Sequence, residues 1–262
     1  MLSKNQIKSI HSLEQKKQRQ QKGFFLAEGP KVVLELLVTY RCHILVGLED
    51  WLSAHQNELD QAKSIEQIIT ASDNELKQAS LLCHPQSVLA VFYMPQKGQE
   101  PWSNELIEHI NSNLCLMLDE VQDPGNLGTI IRLCDWFGIE HIFCSKGTAD
   151  CYNPKVVQAT MGAISRIQLH YGHLNELIDQ LPPETPIYGS LLDGKDIYQE
   201  DIINRGLLIM GNEGNGISEE LQKKLTHKLF LPTYPADRNG SESLNVAIAT
   251  ALICGEFRRR NR

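Results

Sequence analysis

Short apolar segments alternate with amphipathic ones through the part of the chain that follows residue 103. The short segments rich in apolar residues predict strands at residues 114–118, 141–144, 166–169, 187–191, 207–210 and 228–231. Between them, apolar residues three and four positions apart predict helices, the clearest at 127–137 and 174–181. Strands that alternate with helices predict an α/β fold with a mostly parallel sheet covered on both faces. Such sheets bind ligands beyond the carboxyl ends of their strands.

The first part of the chain predicts a smaller α/β domain. Its apolar segments predict strands at 23–27, 42–46 and 88–93 and helices at 30–38 and 72–82. Proline, glycine and charged residues between 94 and 103 are typical of a linker. We therefore predict two domains, residues 1–97 and 98–262.

The chain closes with a predicted long helix that starts at Ser243, a residue type suited to cap it. The helix is apolar nearly all round, which predicts that it is buried. Asn245 is a polar amide on this buried helix and must therefore find hydrogen-bond partners, whether structural or functional.

Charge is unevenly distributed along the chain. The 262 residues carry a net charge of −7, which as a sum argues against a nucleic-acid partner. Residues 1–31, however, are locally +5, and the chain ends in a second basic cluster. The cations of the first cluster are Lys4, Lys8, Lys16, Lys17, Arg19, Lys22 and Lys31, and those of the second are Arg258, Arg259, Arg260 and Arg262. Two basic ends on an acidic body fit either a polyanion-binding surface or solvated faces.

Composition excludes several other classes. With 42% hydrophobic residues the chain can build a sizeable core. Its longest apolar run is under half of the about 20 residues that a membrane span needs, and its start lacks the pattern of a secretory signal. We expect a cytoplasmic protein without a membrane partner. Seven scattered cysteines contain no C-x-x-C pair, so we expect buried free thiols and no metal site.

The loop after the first strand of the second part, residues 119–128, leads into a helix that carries Asn126 and Arg132. Arg132 stands among apolar neighbours. A cation at this position costs free energy unless its side chain meets a carboxylate or phosphate, or extends from the flank of the helix into solvent.

Two further strand-exit loops are rich in glycine, asparagine and serine. Residues 211–218 place three glycines around Glu213, either as a plain turn or to let the backbone approach a ligand closely. Their order, G-x-x-G-x-G, is not that of the dinucleotide fingerprint or of a phosphate loop. The third loop, residues 232–243, leads into the last helix.

Taken in order, these loops resemble a known family. N-L-G-x-x-x-R, then M-G-N-E-G-x-G, then L-P followed by S-L-N-V-A-x-A, span residues 126–249. They resemble the motifs of the SpoU (TrmH-like) branch of the SPOUT RNA methyltransferases. The stretch from residue 3 to residue 33 is similar to the substrate-binding domain of members that act on ribosomal RNA.

The resemblance implies a fold, an activity and partners. It implies a trefoil knot formed by the second and third motifs. It also implies methyl transfer from S-adenosylmethionine to a ribose 2′-OH, with ribosomal RNA favoured, by a homodimer with a basic RNA-binding surface. In members of the family, main-chain groups hold the cofactor in a bent conformation. The positions that provide these groups correspond here to Gly211, Leu231 and Leu244.

The resemblance also implies site residues. Arg132 matches the arginine regarded as catalytic, and it is left open whether that arginine accepts a proton or stabilises a developing alkoxide. The other polar site residues of the family correspond to Asn126, Glu213, Ser243 and Asn245. The loop 233–242 is longer than the short Met-x-Gly turn of relatives, so the resemblance implies nothing about its contacts with the cofactor.

Alternative functions stay open at this point. The substrate can be transfer RNA, or the chain can be a non-catalytic RNA-binding relative of the same fold. An oxidoreductase with a dinucleotide fold is disfavoured, because the chain lacks both the glycine fingerprint and the acidic residue about 20 positions beyond it.

Overall fold

The computed structural model describes residues 1–95, 102–235 and 243–260. The chain forms two compact units, one made of residues 1–97 and 150–165 and the other of 98–149 and 166–262. The domain assignment made from the sequence stays a prediction. The first unit also takes in residues 150–165, which that assignment placed in the second domain. Most of the predicted linker, residues 96–101, lies outside the described residues.

The first unit is built on a mixed four-stranded sheet. Its strands lie in the order β1-β4-β2-β3, with β4 antiparallel to both neighbours and β2 parallel to β3. The strands are β1 (Phe24–Glu28), β2 (Cys42–Gly47), β3 (Ile65–Thr70) and β4 (Val88–Tyr93). The helices are α1 (Lys4–Ser12), α2 (Lys16–Lys22), α3 (Pro30–Thr39), α4 (Glu49–Ala54), α5 (Gln56–Asp60), α6 (Asp73–Ala79) and α9 (Pro154–Thr160).

One cation of the basic N-terminal segment is structural. Arg19 is only 1% exposed, and its guanidinium lies 2.5 Å from the Asp150 carboxylate. It also donates hydrogen bonds to the carbonyl oxygens of Leu13 and Glu14. A buried arginine needs such partners, so Arg19 is not available to an external phosphate.

The second unit contains a six-stranded sheet in which all paired strands are parallel. The strand order is β10-β8-β9-β5-β6-β7. The strands are β5 (Leu114–Leu118), β6 (His141–Ser145), β7 (Gln168–Gly172), β8 (Ile187–Asp196), β9 (Gly206–Met210) and β10 (His227–Phe230). The helices are α7 (Asn104–Ser112), α8 (Pro124–Phe137), α10 (Leu174–Ile178), α11 (Glu219–Gln222) and α12 (Val246–Arg260). The α/β fold class predicted from the sequence is confirmed.

Local signals set the ends of α8. The Asp123 side chain accepts a hydrogen bond from the Asn126 N–H at 2.8 Å, and Pro124 occupies the first turn. Gly138 ends the helix with a φ of 63°, a left-handed conformation that suits glycine. The helix therefore presents its N-terminal turn at the carboxyl end of β5.

The last helix differs from its prediction. It begins at Val246, and the Asn245 side chain, not Ser243, accepts hydrogen bonds from the N–H groups of Ala247 and Ile248. The helix is also not buried all round, because Ile248 and Leu252 are 54% and 46% exposed. The apolar composition predicted burial on all sides of the helix, because the sequence alone does not show which side packs on α8.

The predicted knot involves the loop 232–242, of which residues 236–242 lie outside the described residues. The knot therefore stays a prediction. None of the helices formed by the described residues combines the length and apolar character that crossing a membrane requires.

Arginines at the end of α12 make contacts within the protein. Arg258 donates to the carbonyl oxygens of Phe137 and Gly138 at the end of α8. Arg259 and Arg260 both pair with the Glu256 carboxylate, at 2.7 and 2.6 Å. These contacts give Arg258, Arg259 and Arg260 a structural role, while Arg262 lies outside the described residues.

Glu256 is expected to make stability depend on pH. Hydrogen bonds from Arg259, and then from Arg260, lower its pKa to about 2. Because the folded pKa lies below the unfolded value of about 4.3, the stabilisation is present above pH 4.3 and is lost as pH falls toward 2. Glu256→Gln should lower the free energy of unfolding at pH 7 by about 1–3 kcal/mol.

Urea unfolding from pH 7 down to pH 3 checks this expectation. The difference between Glu256→Gln and the wild type should shrink as pH falls. The matched variant Glu184→Gln removes an exposed carboxylate of the same unit and should have little effect at any pH. A difference that stays constant with pH would assign the loss to packing instead of charge.

Candidate functional site

Two of the loops singled out in the sequence lie side by side. Strands β5 and β9 are neighbours in parallel register, with Leu118 opposite Met210. The next residue, Asp119, donates its N–H to the Met210 carbonyl oxygen at 2.9 Å. The chain segments that leave the carboxyl ends of β5 and β9 therefore begin in direct contact.

Three polar side chains form a continuous hydrogen-bonded chain at this edge. The Asn126 side-chain amide donates to Glu213 Oε1 at 2.7 Å. Asn126 Oδ1 accepts from the side-chain amide of Asn245 at 2.9 Å. All three belong to the second unit, and Glu213 and Asn245 are exposed. The structure thus connects the three sequence motifs through one residue of each.

The chemistry of these groups fixes their orientation. An ionised carboxylate only accepts hydrogen bonds, so Asn126 must turn its NH₂ group toward Glu213. Asn245 Oδ1 is occupied by the first N–H groups of α12, which leaves its NH₂ group for Asn126. Asn245 therefore caps a helix and orients Asn126 at the same time.

The glycine-rich segment after β9 is a built turn that carries Glu213. A Cβ on Gly211 would lie 2.2 Å from the carbonyl carbon of Gly216, so only glycine fits there. Asn212 and Gly216 exchange both backbone hydrogen bonds, and Gly216 has a φ of 69°. Asn212 Oδ1 also accepts hydrogen bonds from the N–H groups of Gly214 and Asn215. These bonds hold the carboxylate at the tip of the turn.

Two residues that the sequence analysis did not single out support the site. Asp119 is 7% exposed and accepts the Ser218 N–H at 2.8 Å. Asn212 donates its side-chain amide to the carbonyl oxygen of Glu120, whose φ is 57°. Asp119 is the first polar residue after the apolar run that forms β5, and this position in the sequence could have indicated its role. It ties the loop after β5 to the start of the segment that leads to α11.

Arg132 lies apart from this hydrogen-bonded chain. It is exposed and six residues along α8 from Asn126, about 9 Å of helix rise. It shares a helix face with Trp136, four residues further on. Among the described residues Arg132 has no hydrogen-bond or ion-pair partner. The guanidinium is thus free to meet an external anion.

The remaining predicted site residues are accessible. Ser243 and Leu244 are exposed, Leu244 to 52%, while Gly211 and Leu231 are half-buried. No hydrogen bond joins Ser243 to the other site residues within the parts of the chain that the structure describes. The structure brings together Asn126, Glu213 and Asn245, and leaves Arg132 and Ser243 outside their contacts.

The arrangement combines an exposed carboxylate, oriented amides and a free guanidinium at the carboxyl edge of a parallel sheet. Such groups bind a polyhydroxylated, anionic ligand, because the carboxylate accepts from hydroxyl groups while the guanidinium pairs with phosphate.

Comparison with protein families gives two matches. Residues 113–255 match the SpoU rRNA methylase family. Residues 4–90 match the MRM3-like substrate-binding domain. Together the two matches cover most of the chain, and the first contains the loops after β5 and β9 and most of α12.

Individual relatives match over nearly their whole length. The 23S rRNA (guanosine(2553)-2′-O)-methyltransferase of Bacillus subtilis is 30% identical, over 98% of this chain and 97% of its own. A solved structure of a putative RNA methyltransferase of the TrmH family from Porphyromonas gingivalis is 39% identical, with a TM-score of 0.83 and 99% of each chain covered. An AdoMet-bound rRNA methyltransferase from Sinorhizobium meliloti is 26% identical, with a TM-score of 0.80, covering 99% of this chain and 96% of its own.

Proposed function

The chain belongs to the SpoU rRNA methylase family, and on this premise we propose that it methylates a ribose 2′-OH of ribosomal RNA with S-adenosylmethionine as the donor. The observation that carries the proposal is the hydrogen-bonded chain Glu213–Asn126–Asn245, which unites one residue from each family motif. Full-length relatives that are named as rRNA ribose methyltransferases, or solved with AdoMet bound, support it.

The site suits the cofactor in one specific respect. Gly211 is only half-buried at the end of β9, so its main chain is partly exposed there, while its missing Cβ leaves room for the Gly216 backbone. We assign cofactor binding to the main chain of Gly211, Leu231 and Leu244. When bound, S-adenosylmethionine supplies an electrophilic methyl group.

Arg132 is assigned to the RNA. A ribose hydroxyl is a poor nucleophile at neutral pH, so the site must favour the loss of its proton as it reacts. A guanidinium holds its proton tightly, so we assign Arg132 the role of holding an RNA phosphate and stabilising the developing alkoxide. Its exposure and its lack of a partner among the described side chains fit an external anion.

The other polar residues orient the reacting ribose. Glu213 uses Oε1 for Asn126, and its Oε2 accepts no hydrogen bond from the residues that the structure describes. Oε2 is therefore available to a sugar hydroxyl. Asn126 and Asn245 are positioning residues for this carboxylate. The exposed Ser243, two residues before Asn245 in the sequence, supplies a further hydroxyl group.

We propose a homodimer that forms through the surface of α8 and α12, two helices that pack on each other. Three large apolar side chains of these helices are exposed, namely Trp136 at 84%, Ile248 at 54% and Leu252 at 46%. We call them the α8–α12 surface. Large apolar side chains exposed on two adjacent helices are typical of protein interfaces. A second copy placed there would also lie beside Arg132, which shares its helix face with Trp136.

We place the protein in the cytoplasm. All seven cysteines are free, and six of them are buried. Free thiols are typical of reducing compartments, and the proposed substrate is ribosomal RNA.

The first unit is proposed to bind RNA through α1 and α2. Lys4, Lys8, Lys16 and Lys17 are exposed there, and a groove between the two helices is lined by Lys8 and Lys22. Because each lysine bound to a phosphate releases counterions, the triple variant K8Q/K16Q/K17Q should weaken RNA binding. It should also reduce the log–log salt slope by about 2 to 3.

Fluorescence anisotropy with an rRNA fragment at several salt concentrations measures this slope. The triple variant K77Q/K195Q/K223Q makes the same change in net charge with lysines that are exposed elsewhere, and should leave the slope nearly unchanged. Equal slopes for both triple variants would move the phosphate contacts away from α1 and α2.

Methyl transfer itself is tested with radiolabelled S-adenosylmethionine and rRNA. Alkaline cleavage of RNA needs a free 2′-OH, so a 2′-O-methylated nucleotide should be recovered in an alkali-resistant dinucleotide. Label in alkali-sensitive mononucleotides would indicate base methylation, and label with transfer RNA alone would indicate the other substrate. Cofactor binding by calorimetry without transfer to any RNA would favour a non-catalytic relative.

A further inference from the structure

A second group of polar side chains lies at the opposite end of the parallel sheet. His109 is in the last turn of α7, and Glu140 and His141 stand at the start of β6. They belong to the same unit. The site described above forms where β5 and β9 end, whereas this group lies where β6 begins.

The three side chains converge on one point. One ligand atom from each lies within 4.8 Å of the others. The His109 and His141 rings have their centroids 4.4 Å apart at an interplanar angle of 67°. In a tetrahedral zinc site with bonds of about 2.1 Å, ligand atoms lie about 3.4 Å apart. Glu140 is exposed and His109 half-buried, so small side-chain rotations can bring the three atoms to this spacing.

A fourth residue fixes the ring that is buried most deeply. His141 Nδ1 lies 2.9 Å from Nε2 of His170 on β7. The His141 ring also stacks with the His170 ring, at 5.2 Å between centroids. When the Nδ1–H of His141 donates this hydrogen bond, Nε2 carries no proton and is the nitrogen left for a ligand. A metal-binding histidine usually has such a hydrogen bond on its second nitrogen, which sets its tautomer and orientation.

From this geometry we propose that His109, Glu140 and His141 bind a divalent zinc ion. Two imidazoles and a carboxylate suit zinc, whereas magnesium and calcium prefer all-oxygen sites. Three protein ligands leave one coordination position for water. The ion joins the end of α7 to the start of β6, far from the site of methyl transfer, so it acts on the stability of the second unit.

The sequence predicted no metal site, because its cysteines contain no C-x-x-C pair. Here His109 is far along the chain from the other two ligands, and only the packing of α7 on the sheet brings it to them. Glu140 and His141 are adjacent, but a single Glu-His pair is no signal on its own.

Binding is tested on the full chain after treatment with a chelator and its removal. The background variant Cys83→Ser removes the one exposed thiol, a competing zinc ligand. Isothermal titration with Zn²⁺ should show one site per chain. Co²⁺ should give the visible absorption bands of a tetrahedral site. Both readouts are independent of methyl transfer, so a failure to bind zinc can be distinguished from a failure of the proposed function.

Variants assign the site. His109→Ala and Glu140→Gln should each weaken Zn²⁺ binding at least 10-fold, and both positions are accessible enough to change without unfolding. His170→Asn, which alters only the support of His141, should weaken it less. The matched control His84→Ala removes an exposed histidine of the other unit and should leave affinity unchanged. Absence of a one-to-one site, or equal affinity for His109→Ala and His84→Ala, would overturn the proposal.

Discussion

Replacing Arg132 with alanine is expected to reduce methyl transfer by about 10² to 10³-fold, the usual cost of removing a group that stabilises developing charge. The reason lies in its position. Arg132 is exposed on α8 and has no hydrogen-bond or ion-pair partner among the described residues, so its loss should remove only the cation that is proposed to meet the RNA. Single-turnover transfer from radiolabelled S-adenosylmethionine, with RNA at saturating concentration, measures the effect.

Two comparisons separate the proposed role from a general loss of function. Calorimetry should show that Arg132→Ala still binds the cofactor, since cofactor binding is assigned to main-chain groups of other residues. The variant Lys195→Ala removes an exposed cation from β8 and should turn over like the wild type. Arg132→Lys keeps the charge but loses the planar fork, so it should recover only part of the rate. Wild-type turnover by Arg132→Ala would remove this residue from the mechanism.

Introducing a carboxylate at Leu252 is expected to convert a dimer into a monomer. Leu252 is at the α8–α12 surface with Trp136 and Ile248, and a charge buried there without a partner would cost several kcal/mol. Light scattering should report about twice the chain mass of 29.6 kDa for the wild type and the mass of one chain for Leu252→Glu. Because Leu252 is 46% exposed in the single chain, the monomer should stay folded by circular dichroism.

A matched variant tests whether the position matters and not merely the added charge. Leu192→Glu changes a leucine on β8 that is 68% exposed, away from α8 and α12, and should remain dimeric. If the partner subunit completes the site beside Arg132, Leu252→Glu should also lose methyl transfer while Leu192→Glu keeps it. A wild-type mass of one chain would dismiss the dimer, and a dimeric Leu252→Glu would move the interface to another surface.

Much of the second unit follows from short-range sequence signals. The strand predicted at 114–118 has the same bounds in the structure, and the helix predicted at 127–137 ends at Gly138 as expected. These signals are local, because a run of apolar residues, a proline and a glycine each act on their immediate neighbours. The missed helix α7 and strand β3 have mixed apolar and polar residues, which weakens the same signals.

Local signals were weaker where two neighbouring residues compete for one role. Ser243 and Asn245 are both suitable helix caps, and the sequence favoured the first, whereas α12 begins directly after the second. Likewise the seven basic residues of the first 31 were counted alike, although Arg19 is buried against Asp150. Both distinctions depend on what lies opposite the side chain in space.

The sequence by itself determined the α/β class, the alternation of strands and helices, and three polar loops at strand ends. It also carried the motifs that identify the family. Only the tertiary structure decided that Asn126 contacts Glu213 and Asn245, 87 and 119 residues away along the chain. It also decided that Arg132 makes no hydrogen bond with these three residues, and that the His109 ring contacts the His141 ring. Local patterns specify which element each residue joins, but contacts between distant residues depend on strand order and helix packing, which the whole chain sets together.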